Sequence, residues 1–364
     1  MRAAMLLFPL GVLLHASTIY SVTDLGTLGG SSTVAFQINS SGTAVGWGES
    51  AAGDLSAFVS SGSGLLQNLS ALPGGTDTYA YGINASGTMV GTSWVNGQTH
   101  GEIWSGGKTT DLGAGVYATG INDPGVVIGG NGHAFLLVNG VYQDLGVLPG
   151  GNWSTAEGIN DAGTVVGYGN TGNGIFRGFV WVPGVGMVQL GTFGGLDSYA
   201  TAVNSSGEVV GQAGLSNGYE NAFVAVGAVM TDLGTLGGGN SYAYGINDSG
   251  TVVGYSWLAG GANPEAFVYV NGVMLDLNSL IPGGSGWDLM EAYGINNAGQ
   301  IVGEGLFDGQ VHAFRLDPTA TESFAAQSLG LESVPDPGTQ SLVGIGLGLI
   351  LAAAFIRRPA KHSL

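Results

Sequence analysis

The sequence contains no cysteine and very few basic residues. Without cysteine the chain can form no disulfide, has no thiolate nucleophile and has no cysteine-ligated metal. Between Thr18 and Asp317 there are three basic residues, Lys108, Arg177 and Arg315, against 22 acidic ones. Proteins that bind nucleic acid neutralise phosphates with Lys and Arg, so this composition excludes nucleic acid as a partner.

Glycine, by contrast, is abundant, at 70 of 364 residues. There is no Gly-X-Y period, which excludes a collagen-like chain. Hydrophobic residues make up 44% of the sequence, too many for a disordered glycine-rich polymer. Frequent tight turns between short strands would explain both values, so we expect an all-β protein.

The N-terminus has the layout of a secretory signal peptide. Arg2 precedes an apolar run from Met5 to Leu14, and small residues follow it. We predict a signal peptide over residues 1–17. The alternative is a buried first helix, which Pro9 and the lack of an amphipathic period disfavour.

The C-terminus carries a second apolar run, from Leu342 to Ile356, which predicts one hydrophobic transmembrane helix. The basic residues after this run would stay in the cytoplasm. The body of the protein would then lie on the opposite side of the membrane. Residues 318–333 are interpreted as a linker. The tail is either a plain membrane anchor or a sorting signal that is cut after export.

Three features of the tail occur in a fixed order: a proline motif, the apolar run and an arginine pair. The residues of the motif and the pair are Val334, Pro335, Asp336, Pro337, Arg357 and Arg358. Residues 334–364 thus resemble the PEP-CTERM sorting signal of Gram-negative bacteria, with Asp336 where glutamate is usual. The resemblance implies an exosortase-like processing enzyme, transient anchoring in the inner membrane, and association with exopolysaccharide at the cell surface or outside the cell.

An internal repeat fills residues 18–317. Its clearest element is Ala-x-Gly-Ile-Asn-x-x-Gly, and the asparagines of its copies are Asn39, Asn84, Asn122, Asn160, Asn204, Asn247 and Asn296. The copies are 38 to 49 residues apart, which is typical of four-stranded propeller blades. We therefore predict one seven-bladed β-propeller with four strands in each blade.

The ends of the repeat region indicate how the ring closes. The region begins with a fourth-type strand, Ile19 to Leu25, and ends with a third-type strand, Ala313 to Leu316. We expect the N-terminal strand to complete the last blade, because closure removes exposed sheet edges.

A further block in each repeat is His-Ala-Phe, found as His133-Ala134-Phe135 and His312-Ala313-Phe314, with companion blocks such as Asp232-Leu233-Gly234. These blocks resemble the HAF repeat family of bacterial extracellular proteins. The resemblance implies an extracellular repeat protein. It does not indicate which reaction, if any, the protein catalyses.

We recognise no catalytic motif, metal site or cofactor site in the sequence. The sequence therefore favours a protein that is not an enzyme and has no cofactor. The three histidines of the repeat region, His100, His133 and His312, share one repeat position and are interpreted as structural. Glu102 stands where the other copies have phenylalanine. Because a buried unpaired carboxylate is costly, we expect a register shift that exposes Glu102, or else a charge that faces a pocket or an ion.

Loops at one end of the predicted ring vary in length and carry aromatic residues, which suits sugar binding. These candidate ligand-face residues are Trp47, Trp94, Trp153, Tyr199, Tyr219, Tyr242, Trp257 and Trp287. The leading hypothesis is an exported, non-catalytic propeller that binds polysaccharide.

Two alternatives stay open. One is a polysaccharide lyase or glycosidase that acts at the channel face, which convergent acids would favour. The acids considered are Asp54, Asp77, Glu157, Asp197 and Asp288. The other is a purely structural matrix protein.

The sorting hypothesis predicts the mass of the mature protein. We expect mass spectrometry to show loss of the C-terminal tail only in cells that carry an exosortase-like enzyme. An intact tail in cells with and without that enzyme would contradict the hypothesis.

Overall fold

The computed structural model describes residues 20–61, 66–227, 229–261 and 263–319. The predicted signal peptide, the predicted C-terminal helix and the sorting motif lie outside these residues, as does nearly all of the predicted linker. Within the described ranges, no helix is long and apolar enough to cross a membrane.

Strand is the predominant secondary structure of the described chain, and the strands are numbered in chain order. After β1 (Tyr20–Asp24) come β2 (Gly29–Ile38), β3 (Ala44–Ser50), β4 (Leu55–Ser60) and β5 (Leu66–Asn68). The next are β6 (Gly75–Ile83), β7 (Met89–Val95), β8 (Gln98–Ser105) and β9 (Lys108–Ala114). They are followed by β10 (Tyr117–Ile121), β11 (Val127–Gly130), β12 (Ala134–Val138) and β13 (Val141–Gly146).

The second half continues the same pattern. It begins with β14 (Ser154–Ile159), β15 (Val165–Asn170), β16 (Phe176–Val182) and β17 (Gly186–Gln189). Next are β18 (Gly194–Val203), β19 (Val209–Leu215), β20 (Glu220–Val226) and β21 (Val229–Asp232). Then come β22 (Gly237–Ile246), β23 (Val252–Leu258), β24 (Pro264–Val270), β25 (Val273–Asp276) and a short 3-10 helix, Leu277–Leu280. The last strands are β26 (Trp287–Ile295), β27 (Ile301–Phe307) and β28 (Gln310–Pro318).

These strands form five four-stranded sheets and one eight-stranded sheet. The eight-stranded sheet consists of two four-stranded groups that one parallel pair, Ser32 with Val311, joins. We call each four-stranded group a blade and number the blades from β2 onward. The all-β propeller prediction is confirmed, although two of the blades share a sheet.

The N-terminal strand closes the ring, as the sequence predicted. β1 pairs antiparallel with β28, from Tyr20 opposite Pro318 to Asp24 opposite Phe314. Blade 7 therefore contains β26, β27, β28 and β1. The first strands of successive blades contact one another all the way round, so they surround a central channel.

The seven repeat asparagines form a closed ring of hydrogen bonds around this channel. Each side-chain Nδ2 donates to the backbone carbonyl of the next asparagine at 2.9 to 3.3 Å, and Asn296 completes the circle by donating to Asn39. Each Oδ1 accepts from the backbone N–H four residues later in its own turn. The asparagines are buried, so every bond replaces one that water would otherwise make.

The Asn-x-x-Gly turns place glycine where φ is positive, between 77° and 86°. Glycine adopts this left-handed conformation without the cost that a Cβ brings. The turn thereby reverses the chain direction, and the asparagine side chain can form hydrogen bonds both within its own turn and with the next blade.

Phenylalanines and alanines of the third strands hold adjacent blades together. Phe179 is fully buried and belongs to the same core cluster as Leu136 and Leu145 of the preceding blade. The Ala134 backbone N–H donates to Ser154 Oγ of the next blade at 2.8 Å. Burial of a phenylalanine contributes about 1.5–3 kcal/mol, so these contacts supply much of the stability of the ring.

The asparagine ring predicts a specific loss on substitution. In Asn160→Asp a carboxylate oxygen replaces the amide that donates to the Asn204 carbonyl at 2.9 Å, while the acceptor role is kept. We expect a loss of about 2–3 kcal/mol in the free energy of unfolding, measured by denaturant titration. Asn217→Asp in an exposed turn is the matched control and should change little. Equal stability of the two variants would contradict a structural role for the ring.

Candidate functional site

Every first strand contains a β-bulge at the same repeat position. In blade 4, Ala156 pairs with Gly167 and Gly158 pairs with Val166, so Glu157 between them has no partner in the ladder. The same shift occurs in all seven blades. The bulged residues are Phe36, Tyr81, Thr119, Glu157, Thr201, Tyr244 and Tyr293.

A glycine on the second strand makes each bulge possible. At Gly167 a Cβ would lie 2.1 Å from the Thr155 carbonyl oxygen, and the equivalent glycines are as crowded, at 1.8 to 2.1 Å. No side chain fits at that distance. Bulges re-aim side chains, and here they turn one residue of each blade toward the channel.

All seven bulged residues line one cavity of about 840 Å³ in the channel. Below them a layer of isoleucine and valine, including Ile121, Ile159 and Val203, also borders the cavity. Beyond this layer a smaller cavity of about 220 Å³ lies against the asparagine ring. The apolar layer thus forms the floor of the larger cavity.

One arc of the cavity wall is aromatic. Ring centroids are 5.2 Å apart for Tyr244 and Tyr293, 5.4 Å for Tyr293 and Phe36, and 5.4 Å for Phe36 and Tyr81. These four side chains belong to consecutive blades, from 6 through 7 and 1 to 2. Aromatic pairs at these distances stabilise one another, so the arc is a continuous preformed wall.

The other arc is polar and contains Glu157 between two threonines. Thr119 Oγ1 donates to the Ala156 carbonyl at 2.7 Å, and Thr201 Oγ1 donates to the Ala243 carbonyl at 2.8 Å. Among the described residues, the Glu157 carboxyl has no hydrogen-bond or ion-pair partner. Burial raises its pKa from 4.5 to about 7.

A second group of acids lies in blade 7. Tyr293 Oη is 2.7 Å from Glu291 and 2.9 Å from Glu304, and these two glutamates stand directly opposite each other on β26 and β27. Burial is the main cause that raises the pKa of Glu291 to about 7, and burial also raises that of Glu304. A phenol has one proton, so both contacts are hydrogen bonds only when one glutamate is protonated.

The structure brings together only part of the predicted ligand face. Trp153 and Tyr199 line the cavity. Trp94 and Tyr219 are exposed, at 47% and 50%, and do not line it. Of the five acids considered for catalysis, only Glu157 lines it.

The other predicted aromatic residues pack against neighbouring rings. Trp47 lies against Tyr79, and Trp287 stacks on Phe307 with ring centroids 4.9 Å apart. Tyr242 and Trp257 pack together with ring centroids 5.9 Å apart.

The expectation that a register shift exposes Glu102 is wrong. Glu102 is fully buried and pairs with Gly91 in the same register as the phenylalanines of other blades. Its Oε1 accepts hydrogen bonds from Ser93 Oγ and from the Leu72 backbone N–H. Burial raises the pKa of Glu102. The carboxyl is tolerated in the core because these two donors satisfy one of its oxygens.

The three histidines each contact an aspartate of the fourth strand in their own blade, at 2.9 to 3.1 Å. They lie outside the cavity lining. In the described part of the chain, no group of three or more His, Asp or Glu side chains is placed to hold a metal ion.

The comparisons with known proteins support the fold and no closer relationship. No family model matches the sequence, and no curated protein matches it. The β-propeller domain of the trilobed protease from Pyrococcus furiosus has a TM-score of 0.50 at 8% identity, covering 82% of this chain and 96% of that domain. That propeller is described as having an open velcro topology, whereas β1 closes the ring here.

Two enzymes are also among the structures that the comparison matched. A puromycin-hydrolyzing peptidase from Mycobacterium tuberculosis has a TM-score of 0.52 at 12% identity, with 84% of this chain and 54% of that chain covered. A gluconolactonase from Xanthomonas campestris has a TM-score of 0.41 at 12% identity, with 66% and 86% covered. The expectation that this chain is not an enzyme is therefore corrected. The protease and the peptidase each contain a propeller of similar fold, so the lack of a recognisable catalytic motif does not exclude catalysis.

The raised carboxyl pKa values predict how stability depends on pH. Glu157, Glu265 and Glu291 each have a pKa of about 7 in the folded chain against 4.5 as the ordinary value, chiefly through burial. They bind protons more tightly when folded, so their contribution is complete below about pH 4.5 and is lost as pH rises through 7. We expect a higher thermal midpoint at pH 5 than at pH 8.

Glu291→Gln should reduce this difference, because its amide cannot ionise and still accepts from Tyr293. Asp308→Asn in an exposed turn is the control with the same change of charge. A midpoint that is constant or rises between pH 5 and pH 8 would show that these carboxyls are not buried as described.

Proposed function

We propose that this chain is an exported seven-bladed propeller that binds a glycan in the aromatic cavity of its channel. The observation that carries the proposal is the set of seven bulged residues, because it turns a repetitive scaffold into one cavity with an aromatic arc and a polar arc. Its volume of about 840 Å³ lies in the range typical of binding sites for small organic ligands.

The chemistry of the lining supports a sugar ligand. The faces of Phe36 and Tyr81 offer flat apolar surface to a sugar ring, while Glu157 and Gln212 offer polar atoms to hydroxyls. The Gln212 amide oxygen is buried and has no partner among the described residues. No Lys, Arg or His lines the described cavity, so an anionic polymer would find no counter-charge there.

Export and location rest on the terminal segments. The resemblance to a signal peptide and to a PEP-CTERM tail supports passage through the inner membrane with an exosortase-like enzyme as partner. The ligand is then an exopolysaccharide at the cell surface or outside the cell. The aromatic cavity weighs against a purely structural matrix role, which needs no such site.

A second candidate is a glycosidase or lyase that acts in the same cavity. Glu157 favours it, because a carboxyl with a pKa of about 7 can donate or accept a proton near neutral pH. Glu157→Gln should then abolish turnover of a polysaccharide while binding is retained. Unchanged turnover in this variant would exclude Glu157 as the general acid or base.

The binding proposal predicts the effect of removing one ring from the wall. Tyr81→Ala should weaken binding of a neutral oligosaccharide by about tenfold, measured by isothermal titration calorimetry, because a contact of about 1.4 kcal/mol is lost. Tyr81→Phe keeps the ring and should retain most of the affinity. Tyr219→Ala removes an exposed tyrosine outside the cavity and serves as the control.

The proposal is contradicted if Tyr219→Ala weakens binding and Tyr81→Ala does not. Absence of binding to any neutral, amino or acidic oligosaccharide would also overturn it.

A further inference from the structure

The seven equivalent bulges differ in chemistry at one blade. Six of them carry an aromatic ring or a threonine, and blade 4 alone carries an acid, Glu157. The surrounding structure does not need the acid, because the bulge is identical in blades with Thr119 and Thr201. Glu157 is therefore a feature of the cavity and not of the repeat.

The neighbours of Glu157 leave its carboxyl unpaired. Both adjacent threonine hydroxyls donate to backbone carbonyls of the next blade, so their protons are already engaged. The fixed cations of the described chain lie elsewhere: Arg177, on β16, donates to the Phe176 carbonyl at 3.0 Å. Glu157 is half-buried in the channel, so its carboxylate has lost part of its water, and a cation from outside would offset that cost.

Aromatic rings border the same space. Tyr81 and Tyr168 lie close enough to Glu157 for its charge to raise their pKa values, although burial is the main cause. Tyr168 contacts Tyr199 with ring centroids 4.9 Å apart. A carboxylate beside aromatic faces is the combination that recognises an ammonium group, through an ion pair and cation–π contacts. The net charge of −18 also attracts cations to the protein.

We infer that the glycan bound in the cavity carries a free amine, and that Glu157 pairs with the ammonium group of an amino sugar. The inference rests on the proposed function and names the class of sugar. The acids of blade 7 are less suited to this role, because Glu291 and Glu304 both already contact the Tyr293 hydroxyl.

The test compares two oligosaccharides that differ only at nitrogen with a third that is acidic. Glucosamine tetramers, their N-acetylated counterparts and galacturonate tetramers are titrated into the full chain and into Glu157→Gln, which preserves shape and removes the charge. We expect the glucosamine tetramer to bind the wild type at least tenfold more tightly than the acetylated one. In Glu157→Gln this preference should disappear, while affinity for the acetylated tetramer changes less than twofold.

A pH profile supplies an independent readout. Pairing requires an ionised Glu157 and a protonated ligand amine, so the pH is varied only between 5 and 6, where the amine keeps its proton. Over this range the affinity for the glucosamine tetramer should rise in the wild type and stay level in Glu157→Gln. The other titratable groups that face this part of the cavity are tyrosines. Burial raises the pKa values of Tyr81, Tyr168 and Tyr199, so these phenols stay neutral over this range. Asp308→Asn, with the same change of net charge at an exposed turn, should retain the wild-type preference and profile.

The outcomes separate the inference from the function on which it rests. Equal preference for the amine in the wild type and in Glu157→Gln, or tighter binding of the acetylated or galacturonate tetramer, would overturn the amino-sugar inference and leave glycan binding standing. Failure of all three tetramers to bind would overturn both.

Discussion

The ring of asparagine side chains is the interaction on which the rest of the structure depends. The side-chain amide of each asparagine makes two hydrogen bonds. Its oxygen accepts from a backbone N–H of its own turn, and its nitrogen donates to a backbone carbonyl of the next blade. Because Asn296 donates back to Asn39, the circle has no free end. The N-terminal strand closes the outer part of the last blade, and the asparagine ring closes the inner part. With the ring closed, the channel has a fixed width and its lining has fixed positions.

Function can then vary at positions that the ring leaves free. Around each bulge, alanine and isoleucine or valine maintain the strand, the glycine of the second strand allows the close approach, and asparagine maintains the turn. The bulged residue itself faces the channel and pairs with no residue of the second strand, so its type differs from blade to blade. An aromatic arc ending at Tyr81 and a polar arc centred on Glu157 thereby arise from one repeated scaffold. The same cavity suits binding and proton transfer, since the Glu157 carboxyl changes its charge near neutral pH.

The sequence predicted the parts of the fold that depend on local geometry. Turn glycines such as Gly250 and the strand before Gly26 indicated the repeat, the hairpins and the closure of the ring. The cavity was not predicted, because a bulge depends on the register between two strands, and the variable residue of Ala-x-Gly-Ile-Asn gives no sign of it. The variation in residue type at this position, from one repeat to the next, was the sequence feature that could have indicated the cavity. The expectation for Glu102 failed because its donors, Ser93 and the Leu72 N–H, come from other strands and loops.

The central claim is that the ligand occupies the channel between the aromatic arc and Glu157. The most direct test is a crystal structure of the full chain with a glucosamine tetramer. We expect the sugar to lie in the cavity, with a ring against Phe36 or Tyr81 and its nitrogen within hydrogen-bond distance of Glu157. A tetramer bound on the outer surface near Trp94 or Tyr219, with the cavity empty, would contradict the account.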